Sequence, residues 1–150
     1  MLARAGDPVI TSTKTLRVAV ISDINGRYGS STYHPRIPLA IERIIALQPD
    51  LVISTGDMVA GQRVSPPLSQ GELDAMWDNF EVQVREPLKA AGIPLLMTPG
   101  NHDASVYPGF ERERATYSAR QASHPPAQPP LPGGNFPYHY ATSIAGVLFI

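Results

Sequence analysis

Three short apolar runs recur along the chain, and each is closed by a polar turn. Leu16-Arg17-Val18-Ala19-Val20-Ile21-Ser22 ends at Asp23 and the Gly- and Ser-rich stretch 25–31. Asp50-Leu51-Val52-Ile53-Ser54-Thr55 ends at Gly56-Asp57, and Ile93-Pro94-Leu95-Leu96-Met97-Thr98 ends at Pro99-Gly100-Asn101-His102-Asp103. Runs this short, rich in branched side chains and bounded by turn residues, predict buried strands. Between the first two, Pro35 to Gln48 places Ile37, Ala40, Ile41, Ile44 and Ile45 on one stripe at helical spacing, with proline near the start and Pro49 as the stop. Between the second and third, Ser69-Gln70-Gly71-Glu72 has the form of a capping box. Leu73, Met76, Trp77, Phe80, Val84 and Leu88 follow at helical spacing up to Gly92. Strands alternating with helices predict right-handed βαβ units around a parallel sheet.

Beyond the third run the pattern weakens. Phe110 to Gln121 predicts a further helix, Ser123 to Pro137 gathers six prolines and two glycines into an irregular loop, and Tyr138 to Thr142 with Val147 to Ile150 predicts a hairpin. No turn or cap follows this last run. Residues 1–15 therefore read as an N-terminal extension, and 16–150 as one domain truncated at its C-terminus.

Composition narrows the picture. The 150 residues can supply one ordinary core, and 43% apolar against 17% charged residues is enough to fold. A formal charge of −1 argues against nucleic-acid binding through bulk charge. The absence of cysteine removes disulfides, thiolate metal sites and cysteine nucleophiles. No apolar run approaches the ~20 residues of a membrane span, and Met1 to Pro8 lacks the charged and apolar regions of a signal peptide. The expectation is a soluble chain of undetermined compartment.

In an open parallel sheet, ligands bind at the carboxyl ends of the strands. Asp23, Asp57 and Asn101-His102-Asp103 all fall there, and so many acidic groups on one edge call for hard divalent cations between them. Asp23-Ile24-Asn25, Gly56-Asp57 and Gly100-Asn101-His102-Asp103 resemble, in order, context and spacing, the Asp-x-His, Gly-Asp and Gly-Asn-His-Asp/Glu motifs of the calcineurin-like metallophosphoesterases. The four-residue motif is the specific one.

The resemblance implies an α/β fold, the N-terminal half of a four-layer α/β/β/α sandwich. It implies two divalent or trivalent metal ions, manganese, iron or zinc, and a phosphoester substrate. Asp23 would bind the first metal, Asp57 would bridge both, and Asn101 would bind the second. His102 would protonate the leaving group, oriented by Asp103. Asn25 stands where the family has histidine, and its neutral oxygen suits harder ions than imidazole does; it reads equally as a turn residue before Gly26. The family's later histidine motifs have no counterpart here, and His34, His124 and His139 lie outside any such context: His34 reads as a surface or capping residue and His139 as a sheet residue. Arg27, Tyr28 and Gly29-Ser30-Ser31-Thr32 offer a phosphate guanidinium, hydroxyl and backbone donors, or else form a solvated turn.

Three functions follow. The first is a metal-dependent phosphomonoesterase or phosphodiesterase with a dinuclear centre. The second is a catalytically incomplete module that binds metal or phosphate. The third is a half-domain completed by a partner chain or by a missing C-terminal half. A nucleotide-binding P-loop and a serine-hydrolase elbow are excluded by the absence of their motifs.

Overall fold

The computed structural model describes residues 15–150; the extension read at 1–15 and the region judged for a signal peptide lie outside the described residues, Thr15 apart. The three apolar runs form β1 (Val18–Ile21), β2 (Leu51–Ser54) and β3 (Leu95–Met97), a parallel sheet in the order β1-β2-β3. Register aligns Ala19 with Val52 and Val52 with Leu95, and Ile21 with Ser54 and Ser54 with Met97. These residues make up the face on which the helices pack. At the strand starts, Asp50 and Arg17 clasp each other: the Arg17 N–H donates to Asp50 Oδ2 and the Asp50 N–H to the Arg17 carbonyl, both at 2.8 Å.

Helix α1 (Arg36–Ala46) crosses from β1 to β2 and buries Ile41, with Ile37, Ile44 and Ile45 half-buried beside it. The second crossover is longer. It runs through α2 (Gln70–Phe80), a single π-helical stretch at Glu81–Arg85, and α3 (Glu86–Ala90). Every apolar position of its predicted stripe is buried: Leu73, Met76, Trp77, Phe80, Val84 and Leu88. The π turn keeps that stripe continuous while setting the Arg85 guanidinium 5.6 Å from the Phe80 ring centroid, in an ion pair with Glu81 at 3.0 Å. Periodicity alone reads this segment as unbroken α-helix.

One helical turn, α4 (Asn101–Ala104), occupies what the sequence suggests is a polar turn, and α5 (Glu111–Ser123) follows. The hairpin is shorter than expected. Strands β4 (Thr142–Ile144) and β5 (Val147–Phe149) are joined at Ala145-Gly146, both at positive φ. Tyr138 to Ala141 lie outside it, and His139 makes only an isolated bridge to Asn135. On the sheet face away from the helices, Val20 is 63% exposed, and Ile53, Leu96, Thr142 and Phe149 line an open groove of about 330 Å³. The architecture is α/β, with helices on one face of a parallel sheet.

The capping box of α2 is complete. Ser69 Oγ accepts from the Glu72 N–H at 3.3 Å, and Glu72 Oε2 accepts from the Ser69 N–H at 2.8 Å, while Glu72 Oε1 pairs with Arg63 at 2.6 Å. The Ser69 N–H and hydroxyl, then Arg63, hold the Glu72 carboxyl down to about 2, against an ordinary value of 4.5. A folded value below the unfolded one means that the box contributes fully above pH 4.5 and fades as pH falls toward 2. Glu72→Gln is expected to be less stable than the parent at neutral pH, with the gap closing between pH 4.5 and 2 in urea unfolding followed across that range.

Candidate metal centre

The three strand ends converge because their loops hydrogen-bond to one another beyond the sheet. The Asp23 N–H donates to the Gly56 carbonyl and the Asn25 N–H to the Asp57 carbonyl, each at 3.2 Å, so the β1 and β2 loops continue the strand pairing. Asp23 and Asp57 both adopt left-handed backbone angles, φ +52° and +55°. Side-chain-bearing residues adopt that conformation sparingly, aspartate and asparagine more readily than most, and such strain is concentrated at functional sites. The Asp23 carboxylate is exposed and accepts a short bond from the Ser22 hydroxyl; Asn25 and Asp57 are half-buried.

Glycines let the loops approach. A Cβ on Gly56, itself at φ +115°, would run into the Gly100 backbone, and a Cβ on Gly100 would run into the Asp57 carboxylate and N–H. Gly100 then opens α4. Its N–H is taken by Asp103 Oδ2 at 2.9 Å, and Asp57 Oδ1 accepts the His102 N–H at 3.0 Å. The β2 loop and α4 are thus bound to each other by two carboxylates, each accepting backbone donors of the other segment.

The hydrogen bonds of Asp103 go to the backbone and not to the His102 ring, whose orientation by Asp103 the resemblance implies. Its carboxylate, in a residue only 1% exposed, is taken up by four backbone N–H groups: Asp57 at 2.8 Å, Met58 at 2.9 Å, Val59 at 3.0 Å and Gly100. Burial pushes its carboxyl up to about 7 and the nearby Asp57 charge adds to this, while the Gly100, Val59 and Met58 donors pull it down. Four donors on two oxygens suit the carboxylate form. The imidazole of His102 is oriented by another group, the Gly61 carbonyl, 3.0 Å from Nδ1. A carbonyl only accepts, so Nδ1 carries a proton and Nε2 is the nitrogen left for chemistry.

Two further residues complete the surroundings. Tyr28, 59% exposed, stacks on the His102 ring at 4.9 Å between centroids and 23° between planes. Its loop is tied down by the Gly29 N–H to the Ala60 carbonyl at 2.6 Å, and the Arg63 guanidinium lies against Gly29, itself at φ +80°. Asn101 is exposed, and its Nδ2 donates to Gln62 Oε1 at 2.8 Å. Gly61 and Gln62 carry no motif. A signal existed in Gly61 alone, where a Cβ would collide with the His102 carbonyl oxygen, but it is legible only in three dimensions. The other histidines lie elsewhere. His34 Nδ1 accepts the Arg36 N–H at the start of α1, and His124 closes α5.

The calcineurin-like phosphoesterase family profile matches residues 16–145. The chain belongs to the calcineurin-like phosphoesterase family. A comparison with curated proteins gives no significant match. The family consists in general of metal-dependent phosphoester hydrolases that bind divalent metals. Among the described residues no group of three or more His, Cys, Asp or Glu side chains forms a ready cage, and no helix is long and apolar enough to cross a membrane. The loops of this edge carry two carboxylates and two carboxamides, Asp23, Asp57, Asn25 and Asn101. An all-oxygen set of this kind fits a hard divalent ion such as magnesium or manganese better than zinc.

Asp103→Asn leaves one acceptor oxygen for four converging N–H groups and sets an NH2 against the rest. Two orphaned buried donors cost about 1–3 kcal/mol each, so the variant is expected to lose about 2–6 kcal/mol in urea unfolding, with no metal present.

Proposed function

We propose that residues 16–150 form a phosphoester hydrolase domain in which Asp23, Asn25, Asp57 and Asn101 hold two divalent cations and His102 is the proton donor. The observation that supports this reading is that the loops bearing these residues meet at one sheet edge, tied by the Asp23 N–H to Gly56, the Asn25 N–H to Asp57 and the His102 N–H to the Asp57 carboxylate. Asp23 would hold the first ion, with Asn25 beside it; Asp57, with two acceptor oxygens and a negative charge, would serve both ions, and Asn101 would offer its carbonyl oxygen to the second. Bound there, the cations supply Lewis acidity toward phosphoryl oxygens and a water acidic enough to attack near neutral pH.

His102 does the proton work. Nδ1–H is committed to Gly61, so a proton gained by the ring sits on Nε2, and from there it passes to the departing oxygen. Tyr28 stacked on the ring limits its rotation, and the Asp57 carboxylate holds the His102 backbone in place. Asp103 serves as a positioning residue through the backbone, since it touches neither the ring nor an exposed surface.

Hydrolysis of p-nitrophenyl phosphate or its diester is expected to rise with added manganese and to vanish in Asp57→Ala. His102→Ala should lose roughly 10²–10⁴-fold on esters with alkoxide leaving groups and far less on p-nitrophenyl esters, whose leaving group needs little protonation. Hydrolysis that ignores metal, or an Asp57→Ala variant as active as the parent, overturns the reading. Manganese binding in calorimetry without turnover of any ester assigns the chain to the metal-binding class instead.

A further inference from the structure

A carboxamide has two chemically opposite ends. Only its oxygen coordinates a cation; its NH2 group, turned the same way, repels one. The two orientations differ by a half-turn about the terminal bond, which is broad and roughly two-fold for asparagine, so the side chain alone selects neither. Asn101, exposed at the first position of α4, needs an external group to choose. That group is Gln62, whose Oε1 takes the Asn101 Nδ2–H at 2.8 Å.

The backbone that brings Gln62 there is unusual. Gln62 lies at φ +64°, one of five non-glycine residues of the described chain in the left-handed region, and two of the others are Asp23 and Asp57. The residue before it, Gly61, approaches α4 so closely that a Cβ would collide with the His102 carbonyl oxygen, and its own carbonyl fixes His102 Nδ1. Consecutive residues of the β2 loop thus address consecutive residues of α4: Gly61 selects the His102 tautomer and Gln62 engages the Asn101 amide.

We propose that Gln62 is a positioning residue of the metal centre, which holds the Asn101 carboxamide with its oxygen turned to the cation. This rests on Asn101 being a ligand, as argued above. Groups that orient metal ligands from behind change metal affinity by about 10- to 100-fold when removed. Gln62 does so by meeting the NH2 end of the Asn101 amide with its carbonyl oxygen, and that mechanism has a distinctive consequence. A carboxylate at position 101 has two equal oxygens and no wrong orientation, so Gln62 has nothing to select there.

The test is manganese affinity by isothermal calorimetry on four chains: the parent, Gln62→Met, Asn101→Asp and the double variant. Methionine keeps the length and carries a Cβ as glutamine does, so the left-handed backbone is no more strained, and thermal unfolding without metal checks that each chain folds. Gln62→Met is expected to weaken manganese binding about 10-fold or more when residue 101 is Asn, and less than about 2-fold when it is Asp. An equal loss in both backgrounds overturns the proposal, because a general loop or electrostatic role carries through to both. No loss in either overturns it as well. Asn101→Ala separates the two levels. If it binds manganese like the parent, the ligand assignment of Asn101 falls and takes the role of Gln62 with it; if it binds weakly while Gln62→Met binds normally, only the role of Gln62 falls.

Discussion

Asp103 lies beneath the candidate metal centre with both carboxylate oxygens filled by backbone N–H groups, three from Asp57 to Val59 and one from Gly100. A loop running past a helix start leaves several N–H groups without partners, and burying them unpaired would cost about 1–3 kcal/mol apiece. One carboxylate satisfies four at once, and in doing so it fixes the position of the β2 loop relative to α4. The left-handed turn at Asp57 persists because the residues on both sides of it are pinned in this way. Asp57 returns the contact by accepting the His102 N–H, so the β2 loop and α4 each supply a carboxylate that binds the backbone of the other.

Close approach is the second constraint, and glycine is what permits it. Gly56, Gly61 and Gly100 each sit where a methyl group would strike backbone or carboxylate of the neighbouring segment. The loops are therefore packed backbone to backbone, with no side-chain layer between them to flex. The arrangement also extends outward: the capping box of α2 engages Glu72, Glu72 holds Arg63, and Arg63 lies against Gly29 in the loop that carries Tyr28 to the His102 ring. A helix cap is thereby part of the chain of contacts that leads to the Tyr28 ring stacked on His102.

The strands and the first two crossovers were readable in the sequence because burial there follows a period. Ile41, Leu73, Trp77 and Val84 mark faces by spacing alone. Helix α5 shows why the rest was fainter. Its buried positions are Glu113, Thr116, Tyr117 and Gln121, held by hydrogen bonds such as Gln70 to Thr116 and Tyr117 to the Pro137 carbonyl, and polar partners leave no apolar stripe to detect. The π turn was invisible for the opposite reason, since its stripe stays apolar throughout. At the candidate site, the motifs put Asp23, Asp57, Asn101 and His102 in the loops that follow the three strands, but motif letters carry no direction. That Asp103 faces inward, and that Gly61 and not Asp103 orients the imidazole, depends on backbone turns with left-handed angles that the sequence does not announce.

The side chains that hold the site and those proposed to act there are divided by exposure. Asp103 is buried and fully hydrogen-bonded, while Asp23 and Asn101 are exposed and Asp57 has an oxygen on the His102 N–H. An exposed carboxylate keeps its hydration, and one that already accepts a backbone donor is partly compensated, so neither needs a cation to be tolerated in the folded chain. The charge that would be costly uncompensated is that of Asp103, and the four backbone N–H groups offset part of that cost. The energy that builds the loops therefore comes from within the chain. If the proposed ligands hold a cation, affinity would be set by how the oxygens are aimed: a carboxylate would be forgiving of its orientation, whereas the Asn101 carboxamide, with only one coordinating end, would not.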